Sequence, residues 1–171
     1  MDKEFWKKKK LSDFSEKEWE SVCLRCGKCC LLKEVKNNII FFSNHICNNF
    51  DLKTGKCSCY KQRVGPSCAK VDLQLLQTQR ELLPETCAYR LLFEGKELPD
   101  YHPLISGDSR SVHKARRTVL EMPFVYTERE VMKAAEQAVR LPYDKAAQLL
   151  ERYKFRYLEY YNIPPENQAK N

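Results

Sequence analysis

Residues 23–30 read CLRCGKCC, four thiols within eight residues, the last two adjacent. Cys23, Cys26 and Cys29 follow Cys-x-x-Cys-x-x-Cys spacing, which lets one irregular loop turn three sulfurs toward a common point, and Gly27 relieves the backbone between them. Zinc–sulfur bonds of about 2.3 Å demand such convergence, and a cluster-binding ferredoxin run opens with the same spacing. Spacing alone does not separate zinc from an iron-sulfur cluster. Cys30 is harder to place. Adjacent Cα atoms lie about 3.8 Å apart, and neighbouring side chains on extended backbone point to opposite sides, so a vicinal pair does not easily serve one tetrahedral site. A chain passing between two centres gives one sulfur to each. Cys29 is therefore expected to face a first centre and Cys30 a second, with Cys47, Cys57, Cys59, Cys68 and Cys87 supplying the remaining positions. Eight ligands fill two four-sulfur sites and leave one thiol over. The alternative is a single centre with Cys30 as a buried spectator.

All nine cysteines lie between residues 23 and 87, an odd number that leaves at least one outside any set of internal disulfides. No apolar stretch approaches the roughly 20 residues of a membrane span, and the N-terminal MDKEFWKKKKLSDF has a basic run with no apolar segment after it. The expected compartment is the cytoplasm, where lasting disulfides are rare and cysteine-rich patterns bind metal or catalyse. The formal charge of +7 points toward nucleic acid, but the basic residues are dispersed, and eight thiolates on two dications would lower that charge. His45 and His102 could each replace a thiol as ligand, whereas His113, beside Lys114, Arg116 and Arg117, reads as a solvated surface residue. No nucleophile elbow, phosphate-cradling glycine loop or His-Glu-x-x-His is present. No spacing singles out a carboxylate such as Glu85 or Asp108, so no catalytic residue is assigned and enzymatic activity is left open.

The chain of 171 residues fits one domain or one domain with a helical appendage. The expected class is α+β: a small irregular metal-organised domain with short strands and several helices, plus a C-terminal helical pair. Ser15 and Glu18 have capping-box spacing and should start a helix at Glu16. From Cys23 to Cys68 the segment reads as loops and short strands organised around something other than a conventional core, with strand candidates at Ile39–Phe42 and Cys57–Tyr60. Helices are expected over 71–83 and 85–94, the second ended by Gly95, then a loop over 98–108 and extended chain over 117–126. Thr127 and Glu130 repeat the capping box and open a helix to about Arg140. Residues 144–161 carry Leu149, Leu150, Tyr153, Tyr157, Leu158 and Tyr161 at helical spacing, and a disordered tail is expected from Pro164.

The stretches ending in CLRCGKCC, CNNFDLKTGKCSCYKQR and LPETCAYRLLFEGKELPDYHPLISG resemble the bacterial YcgN family and, more broadly, the CxxCxxCC zinc- or iron-chelating domain of the YkgJ family. The resemblance covers residues 1–113. It implies that Cys47, Gly55, Cys57, Tyr60, Arg63 and Cys68 match the wider family's pattern, that Cys59 and Cys87 fit the narrower one, and that His102 lies in a shared His-Pro-Leu step. The division expected is a cysteine-cluster domain over 1–113 and a helical extension with its tail over 114–171. The expected function is metal binding, through one or two iron-sulfur clusters in a redox or metal-handling role. The alternative is a zinc-stabilised interaction module that docks a protein partner through its Tyr-rich C-terminal helix.

Overall fold

Asn37 and Asn38 adopt left-handed backbone, with φ of 52° and 58°, the two-residue turn whose twist matches that of the strands it joins. They connect β1 (Leu31–Lys36) to β2 (Ile39–Ile46), which pair antiparallel with Lys36 opposite Ile39. The computed structural model describes residues 4–62, 68 and 70–162, so Arg63 and the tail from Pro164 lie outside the described residues. A second, minimal hairpin joins β3 (Phe50–Asp51) to β4 (Lys56–Cys57). The Cys57–Tyr60 strand expected from sequence is thus confined to its first residue, and the chain enters a 3-10 turn at Tyr60–Gln62.

The helices flank these hairpins. α1 (Phe5–Lys8) buries Phe5 and Trp6, so the N-terminal basic run is partly a packed helix. α2 (Glu16–Val22) starts where expected, with both capping-box bonds formed between Ser15 and Glu18. α3 (Leu73–Gln79) runs on into a 3-10 turn at Arg80–Leu82. α4 (Ala88–Phe93) begins later than its pattern suggests, because the Cys87 N–H donates to the Pro84 carbonyl at 2.8 Å and closes a turn first. The expected loop over 98–108 contains α5 (Pro103–Ser106), followed by α6 (Ser111–Lys114). Thr118 and Glu121 form a capping box around Val119–Glu121 where extended chain was expected, leaving only β5 (Tyr126–Thr127) as strand. α7 (Glu128–Ala138) carries the capping box of Thr127 and Glu130, and α8 (Tyr143–Arg152) follows.

Here the structure departs most from the periodicity. The helix expected over 144–161 stops at Arg152, and residues Tyr157–Asn162 form β6. The cause is tertiary. Asn44 of β2 is fully buried; its Nδ2 donates to the Lys154 carbonyl at 3.1 Å and the Phe124 carbonyl at 2.9 Å, and its Oδ1 accepts from the Arg156 N–H at 2.7 Å. Those bonds take the backbone groups of 154–156 out of any helix, and a satisfied buried amide outweighs weak local preference. β6 then pairs antiparallel with β2, and β5 pairs parallel with the end of β2. The segment after residue 113 therefore supplies two strands to a sheet that begins in the cysteine-bearing part.

Two packed clusters form the core. The first joins Phe5, Trp6, Val22, Leu76, Tyr89 and Val112 among others, with Cys23, Cys26 and Cys87 packed against it. The second joins Leu31, Ile40, Phe42, Ile46, Phe50, Val119 and Val125, with Cys30 against it. The expectation that residues 23–68 lack a conventional core is corrected: Leu31, Ile40, Phe42 and Ile46 are at most 1% exposed. Each such residue contributes about 1.5–3 kcal/mol of burial. Leu31 comes from β1, and Ile40 and Phe42 alternate with half-buried Ile39 and Phe41 along the start of β2.

Candidate metal centre

Cys23 stands where α2 ends. The chain then turns sharply, with left-handed φ of 53° at Arg25 and 76° at Gly27. A Cβ on Gly27 would lie 2.6 Å from both Phe50 Cζ and Val119 Cγ2, so the position admits only glycine. The Cys26 carbonyl accepts from the Val119 N–H at 2.8 Å, and a 3-10 turn over Lys28–Cys30 delivers the vicinal pair. Cys87 arrives from the far side as the residue before α4. Several sulfurs accept backbone amides from just ahead in the chain. The Arg25 N–H donates to Cys23 Sγ at 3.4 Å and the Asn49 N–H to Cys47 Sγ at 3.5 Å. Lys28, Cys59 and Arg90 amides serve Cys26, Cys57 and Cys87 in turn. Such bonds favour the ionised sulfur.

The thiols gather in two neighbourhoods. Cys23, Cys26, Cys29 and Cys87 act electrostatically on one another. Cys30 feels Cys57, which in turn sits beside Cys59 and Cys68; Cys57 Sγ and Cys59 Sγ are 3.6 Å apart. The vicinal pair is the point of contact, since the Cys29 and Cys30 side chains are hydrogen-bonded. Cys47 joins the second neighbourhood through its backbone, its N–H donating to the Cys30 carbonyl at 3.0 Å. All nine cysteines are free.

Burial pushes the Cys23 thiol up to about 11 and the Cys87 thiol up to about 12, and raises Cys26 further; nearby Cys29 adds to each. Cys30 is raised first by its hydrogen bond with Cys29 and then by burial, and Cys57 by burial. Gathering several thiolates here therefore requires a compensating cation. Among the described residues, no three His, Cys, Asp or Glu side chains are arranged to hold a metal ion as they stand. The sulfurs share neighbourhoods without closing a shell.

The histidines sort clearly. His102 is fully buried, with Nε2 2.9 Å from the Val22 carbonyl and Nδ1 accepting from the Leu104 N–H at 3.0 Å. Both ring nitrogens are in use, so His102 does not replace a thiol; it anchors the residue before Cys23. Burial lowers its pKa and keeps it neutral. His45 packs edge-on to Phe155, and its Nε2 is buried with no hydrogen-bond partner among the described residues. His113 is exposed and pairs with Glu121 at 2.9 Å, as its basic surroundings suggest.

Two lysines beside the thiols escape sequence reasoning. Lys33 Nζ donates to the Cys29 carbonyl at 2.7 Å and the Leu31 carbonyl at 2.9 Å, within electrostatic reach of Cys29, Cys30 and Cys68. Lys28 is buried and donates to Glu159 of β6, 131 residues away. The Lys33 contacts are local, to carbonyls two and four residues earlier, whereas the Lys28 contact has no local signal because it depends on the strand pairing.

No family model matches the chain, and no solved structure matches it. Curated bacterial relatives do. A UPF0260 protein of Rhizorhabdus wittichii is 47% identical over 118 residues, 67% of this chain and 80% of its own length. A UPF0260 protein of Proteus mirabilis is 45% identical over 123 residues, 70% and 83% of the two lengths, and one of Haemophilus influenzae is 43% identical over 121 residues, 67% and 80%. These relatives correct the YcgN and YkgJ assignment made from the cysteine stretches: the name they carry is a different one. Any thiolate-bound centre makes similar demands of a loop, so cysteine spacing is a poor marker of descent.

Proposed function

We propose that this chain, which belongs to the UPF0260 family, is a metal-binding protein that holds two sulfur-ligated centres. In this reading Cys23, Cys26, Cys29 and Cys87 serve one centre and Cys30, Cys57, Cys59 and Cys68 the other, with Cys47 as the ninth thiol. The observation that carries it is the division of the vicinal pair: Cys29 keeps company with three cysteines packed on the first core, Cys30 with those beyond the second. Two sets of four sulfurs with amide hydrogen bonds suit an iron-sulfur cluster, whose potential such bonds tune. A cluster would supply one-electron transfer or iron handling. Nine free thiols fit a reducing, cytoplasmic setting, and no helix among the described residues is long and apolar enough to cross a membrane.

Anaerobic purification with iron, zinc and sulfide analysis and a visible spectrum tests the metal. Sulfide equal to iron supports clusters, and a colourless protein with stoichiometric zinc removes the iron part. Cys29→Ser and Cys30→Ser should each lose a different share of the metal; loss of the same share in both leaves a single centre.

A second reading, zinc sites that hold an interaction module, draws on the outer face of β6. Tyr157 and Tyr160 are exposed and stack toward Phe41, with ring centroids 4.7 and 5.9 Å away. The partner surface would then be this strand face rather than a helix. Stoichiometric zinc in a spectrally silent protein favours that reading.

A further inference from the structure

Lys28 lies between Cys26 and Cys29, and its side chain is only 9% exposed. A lysine so placed needs a counter-charge, because an unpaired buried ammonium is costly. Glu159 provides it from the inner face of β6: one carboxylate oxygen accepts from Lys28 Nζ, and the other accepts from the Tyr161 hydroxyl at 2.6 Å. The Tyr161 hydroxyl also meets the backbone N–H of Glu85, and the Arg90 guanidinium lies 5.8 Å from the centre of the Tyr161 ring. Glu85 and Arg90 flank Cys87. One strand thus grips both stretches of chain that carry the first cysteine group, through side chains that the β2–β6 backbone ladder does not itself require.

We propose that Glu159 and Tyr161 are positioning residues for the first cysteine group, holding the turn of Cys26 and Cys29 and the helix start at Cys87 at the spacing a shared cation needs. This rests on the reading of Cys23, Cys26, Cys29 and Cys87 as ligands. Neither residue touches the metal. Their effect runs through Lys28 and the backbone beside Cys87, as the outer partners of metal ligands commonly do.

The test uses the reduced full-length chain and two probes. Cobalt(II) reports thiolate ligation by its charge-transfer absorption, and a chelator then gives its release rate. Phenylarsine oxide, added without metal, bridges nearby thiols, and peptide mapping shows how readily Cys87 is joined to Cys23, Cys26 or Cys29. Glu159→Gln and Tyr161→Phe should each speed cobalt release about tenfold and slow bridging to Cys87, while bridging of Cys57 to Cys59 keeps its rate. Glu159→Asp should recover most of both. Tyr161→Phe removes only a hydroxyl and decides the matter should Glu159→Gln fail to fold. Wild-type rates in both assays, or equal loosening of Cys57 and Cys59, overturn the inference. Absence of cobalt–thiolate absorption in the wild-type chain sinks the metal reading instead, and the arsenical mapping still decides whether β6 positions Cys87.

Discussion

The two groups of cysteines are held by different kinds of structure. Cys23, Cys26 and Cys87 pack on a core drawn from α1, α2, α3 and α4, and the entry to that region is fixed by the Ser15 capping box and by His102 on the Val22 carbonyl. Cys57 and Cys59, in contrast, hang from a hairpin whose strands are two residues each. One group is placed by tertiary packing, the other largely by turns. On the proposed metal-binding reading, binding energy would have more ordering left to do in the second region, where ligation and local folding would be coupled.

The sharpest break in that contrast is Gly27, whose neighbours belong to the second core while its own loop serves the first. Gly27→Ala forces a left-handed alanine against Phe50 and Val119 and should cost about 3 kcal/mol, lowering the urea midpoint and the metal content of both groups together. Loss confined to one group would show the regions to be independent. Next comes His102→Asn, expected to cost about 2 kcal/mol by leaving a buried carbonyl unpaired. Tryptophan fluorescence reads this change well, since Trp6 and Trp19 both lie in the first region, while the reactivity of Cys59 should not change. The same histidine sets a pH dependence. Its folded pKa is depressed by burial, so on acidification below about 6.5 the unfolded chain takes up a proton that the native state refuses. Stability should fall as pH drops through that value toward the folded pKa, and the fall should be shallower in His102→Asn, compared at pH 7.5 and 5.5.

A smaller effect separates the regions further. Ser15→Ala removes the cap of α2 and should lower stability by about 1 kcal/mol, read by tryptophan fluorescence and absent from Cys59 reactivity. Smallest is His113→Ala, which removes an exposed contact with Glu121, expected to stay within about 0.5 kcal/mol by the same unfolding curve. A larger loss would mean that the Thr118 turn, beside Val119 of the second core, depends on that pair.

What could be read in advance was local. The capping boxes at Ser15 and Thr127 form as their spacing suggests, because the signal and the bonds it describes lie within one turn. The loop around Gly27 was legible for the same reason. Tyr153, Tyr157 and Tyr161 misled, since a spacing of four suits a helix face, whereas a register shift in the β2–β6 pairing puts Tyr157 and Tyr161 on opposite faces of β6. The decision between them was made by Asn44, more than a hundred residues earlier in the chain. Cys87 could be guessed as a ligand, but its assignment to the Cys23 neighbourhood depends on how α4 packs, and the pairing of Lys28 with Glu159 had no signal at all.

That last pairing bears on how the protein is made. Synthesis proceeds from the N-terminus, and every cysteine precedes β6. The thiols are thus offered to whatever the cell supplies before the carboxylate that neutralises Lys28 has left the ribosome. If the proposed centres form, capture can precede closure, and the strand that completes the sheet would arrive as a seal on metal already bound.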